Sequence, residues 1–189
     1  KYMKQLLLLT ITFFLVAQGF AQMEINGVSL PAKLKTSTTE LSLNGAGVRK
    51  KAFFKVYVLG LFLKEKSKDA AAIIKDNEEM AVRLQITSSV VSSSNMSEAI
   101  IEGFGKSLKG NIAPLKSKID AFIEVFSKDK IKEGDVFLLD YVPSVGVKAF
   151  KNGKLLSTTE GEKLKKALFG IWLGASPVDS GLKTAILGN

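Results

Sequence analysis

Gly45-Ala46-Gly47-Val48-Arg49-Lys50-Lys51-Ala52-Phe53-Phe54-Lys55-Val56-Tyr57-Val58-Leu59-Gly60-Leu61-Phe62-Leu63 is the stretch whose reading decides the fold. Ala52 to Leu63 is apolar almost throughout and rich in aromatic and branched residues, which predicts a central strand buried on both faces. Upstream, Gly45-Ala46-Gly47 breaks regular pairing and allows close backbone approach or a β-bulge. Arg49 lies between these two features. A continuous strand would hold it roughly 26 Å from Tyr57, whereas a hairpin centred near Phe53 would make the two a cross-strand pair about 5 Å apart. No Gly, Pro or Asn stands at Phe53 to mark a tight turn.

Toward the N-terminus, Met23–Leu30 and Glu40–Leu43 read as short strands around a loop containing Pro31. Further back, Lys4, the apolar run Leu6–Ala17 and the small residues of Gly19-Phe20-Ala21 have the layout of a secretory signal peptide, with cleavage after Ala21. The other readings are a membrane anchor or a buried first helix, for which the run is short of the roughly 20 residues a bilayer span needs. Toward the C-terminus, Lys68–Lys75 predicts a short helix and Met80–Thr87 a strand. Asn95 with Glu98 gives an N-cap signal for a helix whose stripe is Met96, Ile100, Phe104 and Leu108. Pro114 opens the next helix, with Leu115, Ile119, Phe122, Ile123 and Phe126 on its buried face. Asp135–Val142 and Val145–Phe150 are strands joined through Pro143-Ser144, and Asn152-Gly153 marks a hairpin turn returning into Leu155. Thr159 with Glu162 caps a long helix carrying Leu164, Ala167, Leu168, Ile171 and Trp172. Gly174 ends that helix, and Val178–Leu187 is a short closing one. Strands cluster at both ends with helices between and after them, which argues an α+β domain spanning residues 22–189, with an antiparallel sheet and helices on one face.

Composition narrows the chemistry. The chain contains neither histidine nor cysteine. That excludes an imidazole base, a Ser-His-Asp triad, a thiol nucleophile, a disulfide and His- or Cys-ligated zinc. Neither a metal nor a cofactor is expected. The formal charge is +9, and removing residues 1–21 with their two lysines takes it to +7. Lysines are spread along the chain without arginine–aromatic interleaving, so the basic balance reads as solubility, with weak attraction to an anionic membrane surface as the functional alternative. No nucleic-acid partner is expected, and an export signal with no cysteine points to a bacterial periplasmic or secreted protein.

A second block, Phe169-Gly170-Ile171-Trp172-Leu173-Gly174-Ala175-Ser176-Pro177-Val178-Asp179-Ser180-Gly181-Leu182-Lys183, closes the chain. With Gly-Ala-Gly-x-Arg at residues 45–49 and the strand from Lys55 to Leu63, it resembles the chalcone isomerase-like family. The order of elements from Glu40 onward is similar too. The resemblance implies an open-faced β-sandwich, a large antiparallel sheet backed by helices. The family includes plant chalcone isomerases, non-catalytic fatty-acid-binding relatives and bacterial secreted members.

Arg49 matches the arginine that polarises the substrate ketone in the enzymes, and Tyr57 falls where the plant enzymes carry threonine. An arginine–tyrosine pair instead resembles the fatty-acid-binding relatives, where both side chains meet a carboxylate. Guanidinium supplies a planar fork and the phenol a neutral donor beside it. The same resemblance places Met96, Gly103 and Ile171 where the enzymes use tyrosine, asparagine and threonine or serine, so the polar set for a hydroxylated flavonoid is missing.

The expected function is therefore non-catalytic binding of a fatty acid or similar amphipathic carboxylate. Arg49 would hold the head group with Tyr57 assisting, and Leu59, Met96, Ile100 and Ile171 would line the tail pocket, with Gly103 counted in the site. One alternative is an isomerase that closes a ring by adding an oxyanion to an enone, with Arg49 stabilising the enolate. Another is a ligand-free envelope protein. On residue type alone, Arg49 reads first as a solvated surface arginine beside Lys50 and Lys51 and Trp172 as plain core, while Tyr57 reads as core or as ligand contact alike.

Overall fold

The computed structural model describes residues 22–127 and 129–189; the expected signal peptide lies outside the described residues. The first two strands, β1 (Gln22–Ile25) and β2 (Val28–Pro31), form a separate antiparallel hairpin. The single strand expected over Met23–Leu30 is thus two, because Asn26-Gly27 takes left-handed φ of 50° and 73° and reverses the chain. A short strand the sequence did not announce, β3 (Lys33–Lys35), leads into β4 (Glu40–Lys51) and β5 (Phe54–Leu63).

β4 does not stop at Leu43. It runs on through the glycines to Lys51, with its register shifting between Leu43 and Gly45, so the glycine segment carries a bulge inside one long strand. Asn44, left unpaired by the bulge, donates from Nδ2 to the Ser67 and Ile186 carbonyls, both at 2.9 Å, and its Oδ1 accepts from the Ser67 N–H at 2.8 Å. The turn into β5 is Ala52-Phe53, with Ala52 at φ +53°.

The chain continues with α1 (Ala70–Lys75), β6 (Met80–Ile86), α2 (Ser93–Ser107), a 3₁₀ turn (Ala113–Leu115) and α3 (Lys116–Ser127). Then come β7 (Val136–Val142), β8 (Gly146–Lys151), β9 (Lys154–Thr159), α4 (Glu162–Leu173) and α5 (Ser180–Ile186). Strands β3 to β9 form one seven-stranded antiparallel sheet in sequence order. Asn152-Gly153 makes the β8–β9 turn, with φ of 50° and 83°.

Two expected helix caps differ in the structure. α2 begins earlier: Ser92 is its N-cap, and Asn95 sits at the third position as the other half of the capping box. Ser92 Oγ accepts from the Asn95 N–H and Asn95 Oδ1 from the Ser92 N–H, while Glu98 accepts from Ser94 Oγ. α4 is capped by neither Thr159 nor Glu162. Thr159 ends β9, Gly161 at φ +116° precedes the helix without a side-chain cap, and Glu162 pairs with Lys166 one turn on.

The sheet is covered unequally. On one face the helices meet the large core, which includes Tyr57, Leu59, Leu61, Phe104, Phe122, Phe137, Leu168 and Trp172. On the other face, β1–β2 covers a smaller cluster of Val28, Leu30, Leu41, Leu43, Val58 and Phe62. β5 is therefore buried on both sides from Tyr57 to Leu63. α4 is buried almost all round and takes Lys165 down with it. That lysine is wholly inaccessible, and its Nζ donates to the Ile73, Ile74 and Asp76 carbonyls at 3.1, 2.9 and 2.5 Å, closing the C-terminal end of α1. Burial holds its pKa down to about 8.

Candidate functional site

The β4–β5 hairpin settles the relation between Arg49 and Tyr57: they are direct cross-strand partners. Both side chains line a cavity of about 320 Å³ between the sheet and the helices, a volume within the usual range for small-molecule sites. Its inner wall is Leu84, Phe122, Phe126, Phe137, Leu139 and Leu168. Phe126 and Phe137 lie with their rings 4.9 Å apart. Met96 and Ile100 enter from α2, and Ile171 and Trp172 from α4. The outer rim includes Lys51, Ala52, Phe54, Val90, Asn95 and Glu102.

Of the expected tail-lining residues, Met96, Ile100 and Ile171 border the cavity and Leu59 does not. Leu59 is fully buried deeper in the same core. Gly103 does not border the cavity either. A Cβ there would stand 2.8 Å from Ile171 Cγ2, so its bareness lets α2 and α4 come together and seat Ile171.

At the polar end, Trp172 Nε1 donates to the Tyr57 hydroxyl at 3.0 Å. Burial raises the Tyr57 pKa, against the opposing pull of Trp172 and Arg49, so the phenol stays neutral with its own proton free for an acceptor. Arg49 Nη1 donates to the Lys50 carbonyl and stands 3.5 Å from Asp179 Oδ2, a long contact. The Lys50 N–H reaches the same carboxylate oxygen at 3.1 Å, and Asp179 Oδ1 accepts from the Leu182 N–H at 2.9 Å as the N-cap of α5. Burial by itself would raise the Asp179 pKa, but the backbone N–H groups of Leu182 and Lys50 and the Arg49 charge outweigh it and hold the carboxyl below its usual range.

Asp179 and the Trp172–Tyr57 bond were not anticipated as parts of the site. The available signal for Asp179 was its place ahead of Ser-Gly-Leu, an N-cap residue at a helix start. Apart from the carboxylates of Asp179 and Glu102, the polar end offers donors: a guanidinium fork and a phenol facing an apolar interior. Among the described residues no group of three or more acidic side chains could hold a metal ion.

A meandering antiparallel sheet with helices on one face borders an apolar cavity with an arginine at its edge. The chain belongs to the chalcone isomerase-like family, whose model matches residues 22–188. Among solved structures it is similar to a crystal structure of a fatty-acid-binding protein of Arabidopsis thaliana. That match has 16% identity and a TM-score of 0.70, and covers 88% of this chain and 96% of the other. At that identity the likeness establishes the fold. No curated protein matches the sequence.

Proposed function

We propose that this protein binds a fatty acid or similar amphipathic carboxylate without transforming it. The observation that carries the reading is the cavity itself: an apolar space of about 320 Å³ bordered at one end by Arg49 and Tyr57 as a cross-strand pair. Two donors beside an apolar wall suit a ligand with an anionic head and a hydrocarbon tail. Met96 and Ile171, apolar where the family resemblance places polar side chains in the enzymes, make a hydroxylated aromatic substrate the poorer fit. That the fold neighbour from Arabidopsis thaliana is a fatty-acid-binding protein agrees with this reading. Each tail methylene taken into the cavity contributes about 0.8 kcal/mol, so affinity should climb with chain length until the space is full. The signal-like segment before residue 22 supports export as the setting, which N-terminal sequencing of protein recovered outside the cytoplasm would check.

Trp172 is the chain's only tryptophan and borders the cavity, so its emission reports occupancy directly. Titration with palmitate should give a saturable change. Arg49→Ala should weaken binding by about ten- to a hundredfold, the scale of a charge-assisted hydrogen bond. Native mass spectrometry of the purified protein should show a co-purified fatty acid that the variant lacks. An empty protein whose Trp172 emission ignores palmitate overturns the proposal, and turnover of a hydroxychalcone would put ring closure in its place.

A further inference from the structure

The tip of the β4–β5 hairpin has a feature that cavity binding does not use. Phe53, at the turn, is 100% exposed, and its neighbour Phe54 is 51% exposed. Val90, on the loop before α2, is 44% exposed and borders the cavity with Phe54. Lys50, Lys51 and Lys55 are all exposed on the same tip. The nearby acids are already engaged: Glu102 pairs with Lys106, and Asp179 is held by Arg49 and the Lys50 N–H. A fully exposed phenylalanine at a turn, ringed by lysines, gains nothing from water. An interface with apolar depth and anionic headgroups would satisfy both residue types at once.

We propose that this tip docks on an anionic lipid surface, with Phe53 and Phe54 entering the acyl boundary and Lys50, Lys51 and Lys55 meeting headgroups. Charge complementarity selects this occupant over an apolar protein groove, which would leave Lys50 and Lys51 without partners, Lys55 Nζ already donating to Asn26 Oδ1 at 3.0 Å. Docking there sets the Phe54–Val90 rim of the cavity against the membrane, so an amphipathic ligand could cross between bilayer and cavity without passing through water. The docking itself stands whatever the cavity holds.

The chain has no cysteine, so a single introduced one can be labelled uniquely. An environment-sensitive fluorophore attached at Phe53→Cys should shift to the blue on vesicles of mixed phosphatidylglycerol and phosphatidylcholine, and scarcely respond to phosphatidylcholine alone. The same label at Val145→Cys, in the β7–β8 turn at the opposite end of the sheet, should stay in water. The double change Lys50→Glu and Lys51→Glu, made with the position-53 label, should weaken the response by about thirtyfold. A position-53 label that stays wet on anionic vesicles overturns the docking, as does one shifted no more than the position-145 label. Loss of palmitate binding with the vesicle response intact would sink the cavity reading and leave this one standing.

Discussion

The two halves of the β4–β5 hairpin use the same pair of strands for opposite ends. At the base, Gly45 and Gly47 strip β4 to backbone, and α5 lies against it. A Cβ on Gly45 would stand 2.4 Å from the Ala185 carbonyl oxygen, and one on Gly47 would stand 2.8 Å from Ala185 Cβ. Gly60 does the same on β5 for the other face, making room for Leu43, Phe62 and Leu30. At the tip, Arg49 and Tyr57 carry long side chains into the gap between sheet and helices, and that end stays open as a cavity. Closure and opening are thus set by side-chain size along two adjacent strands, with Asp179 joining the halves because it caps α5 and faces Arg49 at once.

The largest effect should come from filling the base. Gly45→Val would drive a branched side chain into the α5 backbone, and we expect a loss of about 3 kcal/mol or more in urea unfolding. A loss under about 0.5 kcal/mol would show that contact with α5 does not close the base. At the tip, Tyr57→Phe keeps the ring but strands the buried Trp172 Nε1–H, costing about 1–3 kcal/mol. Trp172 emission should shift even without ligand, and an unchanged spectrum would separate the two residues.

The smallest effect tests the junction. Asp179→Asn preserves an N-cap for α5 and removes the carboxylate facing Arg49. Palmitate affinity should rise about threefold, the scale of a partly exposed ion pair, and a fall would show that Asp179 helps rather than competes. The variant should also alter the acid limb of stability. Because the Asp179 pKa is held down in the folded protein, its contribution is complete above the unfolded value near about 4 and is lost as pH falls through the folded one. Urea midpoints below about pH 4 should therefore fall less steeply in Asp179→Asn than in the parent.

Much of this contrast was legible in the residues. Glycines at 45 and 47 announced close approach, and the long apolar run to Leu63 announced a strand buried on both sides. The hairpin near Phe53 was one of two readings of this stretch; its turn carried no residue signal, because Ala52 takes a left-handed φ that its residue type rarely signals. Asn26-Gly27 carried the same turn chemistry as Asn152-Gly153, yet alternating apolar residues on both sides of it read as one strand. For the site, strand parity places Leu59 on the same face as Tyr57, and the structure agrees. Parity says nothing about depth along the strand, and the cavity ends before Leu59. Gly103 stood for a missing side chain, and the structure fills that space with Ile171 rather than with room for a ligand. A pattern of residue types finds the face; only packing finds the hole.

The bond from Asn44 to the Ile186 carbonyl joins residues 142 apart in the chain. Every strand of the meander pairs with a sequence neighbour, so the sheet can assemble in the order in which it is made. The cover over β4 cannot. At about 5–20 residues per second, synthesis reaches α5 roughly 7–30 s after Asn44. For that interval the sheet carries a bare glycine strip with the Asn44 amide N–H beside it lacking its Ile186 acceptor, and α5 is the helix that seals it.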